Sequence, residues 1–185
     1  ENLCDALQAE YGFVSDGGFA EYVKVPARNA VPLPGHVPDE AAAPIGCGVT
    51  TAVHAAALAR LAAGDIVLVY GVGTVAFGLI QLARLSGAEV IAISRTPAKL
   101  DKARALGAAH VLNANDGGVA ERVREITGGR GADVVFELVA TKETMAVSSA
   151  ALAKRGRLIF IGYSEDSFTV HRDRDREIGP SWLFT

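Results

Sequence analysis

The sequence predicts an α/β domain built on a doubly wound parallel sheet. Three observations carry that expectation. Apolar runs recur along the chain without polar alternation, the pattern of strands buried on both faces: 66–70, 90–93, 110–112, 134–136 and 158–161. Stretches of helical length separate them, at 75–86, 97–106, 119–127 and 141–153. A glycine turn, Gly71-Val72-Gly73, directly follows the first long run. Strand–helix–strand repetition of this kind winds helices onto both faces of one sheet.

In chain order, residues 17–26 come first. They alternate through Phe19, Tyr22 or Val23, and Val25, which predicts a half-exposed strand ended by Pro26. Residues 31–40 hold three prolines and a glycine and are expected to be irregular. Asp39 is placed to cap a short helix at the start of an alanine run. The Ala-rich stretch 41–63 reads as helix, not as a membrane span, because Pro44, Gly46, Gly48 and Arg60 interrupt it. Farther on, Pro97 suits the first turn of its helix. Gly87, Gly107, Gly128 and Gly156 fall where helices are expected to stop. The run 171–177 alternates charge and reads as a solvated loop. Residues 177–185 read as a final strand with Trp182 and Phe184 exposed. Such an open sheet edge invites pairing with a second copy, so a homodimer through the C-terminal edge strand is expected.

The composition fits a globular domain: 185 residues, 50% hydrophobic, 21% charged. A net charge of -3 gives no basic footprint for nucleic acid. Two cysteines, Cys4 and Cys47, make no disulfide framework, which points to a reducing, cytoplasmic setting.

Gly71, Gly73 and Ala76 fit the dinucleotide-binding fingerprint in its required context, after a strand and at a helix start. Gly71 allows the tight turn. Gly73 lets backbone approach a pyrophosphate, and Ala76 permits close helix-on-strand packing. The N–H groups of Thr74 and Val75 are then expected to face the anion. The acid that reads the ribose 2′-hydroxyl belongs about 20 residues later, at the end of the second strand. Ser94 and Arg95 stand there instead. Glu89 is near in sequence but opens that strand, at the wrong end of the sheet. A hydroxyl, a guanidinium and Lys99 one turn on would suit a 2′-phosphate, so NADP(H) is expected rather than NAD(H). The competing reading is that Arg95 is a plain surface charge.

With these residues in hand, the chain resembles the zinc-dependent medium-chain alcohol dehydrogenase family. The matching stretches are 1–4 (ENLC), 17–26 (GGFAEYVKVP), 42–55 (AAPIGCGVTTAVHA) and 67–83 (VLVYGVGTVAFGLIQLA), in the family's order. The resemblance implies a Rossmann cofactor domain over 46–185, preceded at 1–45 by a remnant of a GroES-like β domain. It implies that Cys4 corresponds to a structural-zinc ligand and Cys47 to a catalytic-zinc ligand. In both cases the companion ligands would lie upstream of residue 1. The catalytic constellation is therefore expected to be incomplete in this chain, with zinc not bound and Cys47 a small buried apolar residue. His36, His54, His110 and His171 show no ligand spacing and are expected on the surface or in packing. By resemblance, Thr51 lies near the nicotinamide, and Val139, Gly162 and Tyr163 lie beside the cofactor. Thr51 fits equally well as a hydroxyl bonded back within its helix, and Val139 as plain core. Glu137, ending its strand, is given a structural role.

The implied function is hydride transfer between NADP(H) and a small-molecule alcohol or carbonyl. Two alternatives remain: a zinc-free quinone or enoyl reductase of the same superfamily, or a truncated NADP(H)-binding module without catalysis. The first of these is disfavoured by Cys47 and by Tyr-Gly-Val-Gly where an Ala-Ala-Gly-Gly-type turn is usual.

Overall fold

The computed structural model describes residues 9–167, 169 and 183–184. The chain divides into two compact units, Glu1–Pro38 and Asp39–Thr185. In the first, the described residues form only a single-turn helix, Ala27–Asn29, and a bridge between Tyr11 and Ser15. The strand expected over 17–26 is not formed, and Phe19 and Tyr22 are exposed. Alternation marks a strand only where a neighbour accepts its ladder hydrogen bonds. No described strand of this unit lies beside it.

The second unit is the doubly wound sheet. Its helical entry runs through α1 (Asp39–Ala42), a π-turn at Ile45–Val49 and α2 (Thr50–Ala59). Asp39 is thus the first residue of α1 rather than its cap. Pro44 cannot donate to a helix ladder, and the chain re-enters helix through the wider π-turn, where Thr50 Oγ1 donates to the Ile45 carbonyl at 2.8 Å. By length and composition Asp39–Ala59 is long and apolar enough to cross a membrane. Yet Ala52, Ala55 and Ala59 pack without exposure in the core of the sheet domain.

Strands and helices then alternate: β1 (Ile66–Tyr70), α3 (Thr74–Leu85), β2 (Glu89–Ser94), α4 (Pro97–Ala105), β3 (His110–Asn113), α5 (Val119–Ile126), β4 (Ala132–Glu137), α6 (Lys142–Ala151), β5 (Leu152–Phe160) and β6 (Leu183–Phe184). The six strands lie in the order β3-β2-β1-β4-β5-β6, and all pairs are parallel. Alternate residues of each strand face opposite layers. Val67, Val69, Val90, Ala92, Val134 and Phe136 join α2 and α3 in one core. Leu68, Tyr70, Ile91, Ile93, Val135 and Leu158 join α5 and α6 in the other. The continuous apolar runs follow directly from this double burial.

Three of the four expected helix stops are found: Gly87, Gly107 and Gly128 take φ of +79°, +113° and +62° just past α3, α4 and α5. Gly156 is the exception. The last helix ends at Ala151, and Gly156 lies inside β5. The strand starts early because Leu152 pairs with Ala132 across a bulge in the β4–β5 ladder. Of the final strand expected over 177–185, Leu183 and Phe184 pair in register with Ile159 and Phe160; Trp182 and the rest lie outside the described residues, as does 171–177.

Candidate cofactor site

Strand order reverses between β1 and β4, and a crevice opens beyond the carboxyl ends of the strands at such a switch point. Here it is a groove of about 1210 Å³, lined by the exits of β1, β2, β3 and β4 and the start of α6. Its floor is the glycine turn. Gly71 has φ +97°, and a Cβ there would stand 2.7 Å from Val139 Cγ2, so only glycine fits. Gly73 differs: a Cβ would meet nothing within 4 Å, so it borders open space that a bound group can fill. Gly73 is also the N-cap of α3. It offers no capping side chain, and the first turn holds no acid. The first amides of α3, including those of Thr74 and Val75, therefore present unsatisfied donors and positive helix-end potential to the groove. Ala76 is fully buried behind them.

One wall is the exit of β2. Ser94 is 8% exposed, and its Oγ accepts from the Thr96 N–H at 3.2 Å, which closes a tight turn. Arg95 and Lys99 are exposed on the groove rim, and neither forms an ion pair among the described residues. Among the described residues no carboxylate ends β2; the groove's carboxylates, Glu143 and Asp166, belong to the α6 side. Glu89 opens the strand, paired in register with Ile66, and binds His110 Nε2 at 2.9 Å.

The opposite wall is the turn from β4 into α6, and Glu137 shapes it. This carboxyl is wholly buried at the end of β4. Its oxygens accept from the Val139 N–H at 3.2 Å and the Ala140 N–H at 2.6 Å, and Ala140 takes the left-handed φ of +62°. Burial holds the Glu137 carboxyl above its usual range, against the opposing pull of the Thr144 hydroxyl and these two amides. Burial likewise raises the Tyr70 phenol, reinforced by Glu143 and Glu137 and opposed by Arg95. The Glu137 carbonyl in turn accepts from Ile161 and Gly162, which ties the β5 exit to the same turn.

The groove thus brings together Gly71, Gly73, Thr74, Val75, Ser94, Arg95, Lys99 and Val139, all expected cofactor contacts. Thr51, Gly162 and Tyr163 do not line it. Thr51 lies in α2, where the hydroxyl bonded back is that of Thr50. Gly162 backs onto the β4–α6 turn so closely that a Cβ would stand 2.6 Å from Val139 N. Tyr163 is 92% exposed. Sequence reasoning missed Asn115, Thr141, Lys142 and Asp166, which also line the groove. Asp166 Oδ2 accepts from the Lys142 N–H at 2.9 Å, at the start of α6.

Cys47 is exposed, contrary to the expectation that it is buried. Its neighbour Gly48 takes the buried side of the π-turn, where a Cβ would come within 2.6 Å of Thr74 Cγ2. Catalytic zinc needs three protein ligands. Among the described residues no three His, Cys, Asp or Glu side chains converge as a metal site, so the residues present do not fit that ion. Cys4 lies outside the described residues.

The family model for zinc-binding dehydrogenases matches residues 71–178, more than half of the chain. The chain belongs to the zinc-binding dehydrogenase family. Among its relatives, the NAD-dependent alcohol dehydrogenase of Sulfurisphaera tokodaii is 33% identical over 167 residues. That match covers 88% of this chain and 47% of the relative. The structure of alcohol dehydrogenase TADH from Thermus sp. ATN1 superposes with a TM-score of 0.82 at 30% identity, over 91% of this chain and 50% of that one. A mycobacterial protein solved in complex with NADPH superposes with a TM-score of 0.75 at 32% identity, over 87% and 50%. The chain spans about half the length of the curated alcohol dehydrogenases it matches.

Proposed function

We propose that the sheet domain holds NADP(H) and serves an oxidoreductase that moves hydride between this cofactor and an alcohol or carbonyl. Relatives at nearly equal identity carry names with different nicotinamide cofactors, so the reading rests on the groove itself. The observation that carries it is the exit of β2: Ser94 and Arg95 rim the groove, no carboxylate among the described residues ends the strand with them, and Glu89 is bound to His110 at the other end. At the end of β2 a ribose 2′-hydroxyl would find no acidic acceptor among the described residues, whereas a 2′-phosphate would find a hydroxyl, a guanidinium and the ammonium of Lys99. The α3 amides would hold the pyrophosphate over Gly73. Val139, fixed by Glu137 through its turn, would close the opposite wall. The bound nicotinamide supplies the hydride. This chain's residues contribute binding and orientation; the described residues form no ligand set for zinc.

The reading extends to the whole molecule in three further proposals. Residues 1–45 are the tail of a GroES-like domain. The protein works in a reducing, cytoplasmic compartment. It pairs with a second copy through the β6 edge. Calorimetric titration with NADPH and NADH tests the central one: tighter NADPH binding supports it, and equal affinities overturn it.

A further inference from the structure

The Arg95 turn does not stand alone. Ser94 and Asn113 are register partners at the ends of β2 and β3, so the two exit turns leave the sheet side by side. Asn113 Oδ1 accepts from the Asn115 N–H at 3.0 Å, which caps the single helical turn Ala114–Asp116 and fixes the Asn115 backbone. From there Asn115 Nδ2 donates to the Arg95 carbonyl at 3.2 Å, and Asn115 itself borders the groove beside Arg95 and Lys99. The Arg95 backbone is thereby held from two sides, by the Ser94–Thr96 turn within its own loop and by Asn115 across the gap.

We infer that Asn115 is a positioning residue for nicotinamide-cofactor choice: it braces the Arg95 turn so that the guanidinium meets a 2′-phosphate without first losing backbone freedom. This rests on the NADP(H) reading above. A guanidinium on a loose turn must be ordered when the ligand arrives, and that cost falls only on the ligand that uses it. NADH lacks the phosphate and is indifferent to the brace.

The test is a fluorescence titration of NADPH and NADH against wild type, Asn115→Ala, Arg95→Ala and the double variant, each first checked for an unchanged thermal transition. Loss of one neutral hydrogen bond predicts roughly a three- to tenfold weaker NADPH affinity in Asn115→Ala. NADH affinity should stay within about twofold of wild type, since no bond to it is removed. If Asn115 acts through Arg95, its removal in the Arg95→Ala background has no further effect on NADPH. Asn115→Asp, which loses the donor and adds a like charge, should weaken NADPH more than Asn115→Ala does. A wild type without NADPH preference overturns both the cofactor reading and this inference. A wild-type preference abolished by Arg95→Ala but untouched by Asn115→Ala overturns the inference alone. Equal loss for both cofactors, or additive losses in the double variant, does the same, because either outcome describes a structural or independent residue.

Discussion

Replacing Glu137 probes the wall that carries Val139. In Glu137→Ala, two amides lose their acceptor: Ala140 N–H, which is buried, and Val139 N–H, which is partly open to water. Orphaning one buried donor costs about 1–3 kcal/mol. The one methylene removed, Cγ, contributes ~0.8 kcal/mol. Ala140 would also keep a left-handed backbone, at φ +62°, with nothing to hold it. Against these losses stands the relief of a charge that burial disfavours. The net expectation is a destabilisation of about 2–4 kcal/mol, read from urea unfolding followed by far-UV circular dichroism. The pH dependence has a definite sign. The folded-state carboxyl lies above its ordinary value of 4.5, so the native protein binds more protons than the unfolded chain in the window above that value. The stability Glu137 contributes is complete below 4.5 and declines as pH rises through the raised native value. Glu137→Gln, isosteric and without titration, should remove that decline, so its deficit relative to wild type shrinks as pH rises. A Glu137→Ala variant within about 0.5 kcal/mol of wild type, the range of ordinary surface changes, would refute the reasoning. So would a Glu137→Gln curve parallel to that of wild type.

Two other expectations concern the scaffold. Arg157 of β5 donates to the Ala59 carbonyl at 2.6 Å and the Arg60 carbonyl at 2.8 Å, and pairs with Asp65 at 2.8 Å, with both side chains largely buried. Arg157→Ala should cost about 2–3 kcal/mol, and a double-mutant cycle with Asp65→Ala should show coupling above about 1 kcal/mol; independent effects would contradict the role of this clasp between α2 and β5. At the sheet edge, light scattering should find a dimer that Trp182→Lys weakens; a wild type monomeric at high concentration removes the basis for edge pairing.

Much of the sheet was legible because double burial leaves its mark residue by residue: Val67, Leu68 and Val69 are each fully buried, two facing one layer and one the other. The glycine turn was legible for a related reason, since Gly71 sits where backbone geometry admits little else. The errors have physical causes. Alanines 150, 151 and 153 favour helix locally, but pairing with Ala132 draws Leu152 into β5, a tertiary contact overriding a weak preference. Residues 17–26 carry a strand pattern, and a pattern without a ladder partner does not make a strand. Asn115, Lys142 and Asp166 were missed because they sit on exits of different strands, brought to one groove by topology and by no spacing in the chain. Glu137 was seen at its strand end. Its grip on the amides of Val139 and Ala140 depends on a turn whose left-handed residue is not glycine.

The central claim is that the exit of β2 reads a 2′-phosphate, and a calorimetric comparison of NADPH and NADH tests it most directly. A hydrogen bond to a charged group contributes roughly 1.5–3 kcal/mol, and each 1.4 kcal/mol is tenfold, so Arg95 should give on the order of 10- to 150-fold preference for NADPH. The preference should shrink at high salt as the exposed charges are screened. Ser94→Asp with Arg95→Ile should invert it, by offering the ribose a carboxylate and the phosphate a like charge. Glu89→Gln, at the far end of β2, should leave it unchanged. Equal wild-type affinities that do not respond to the double substitution would contradict the account.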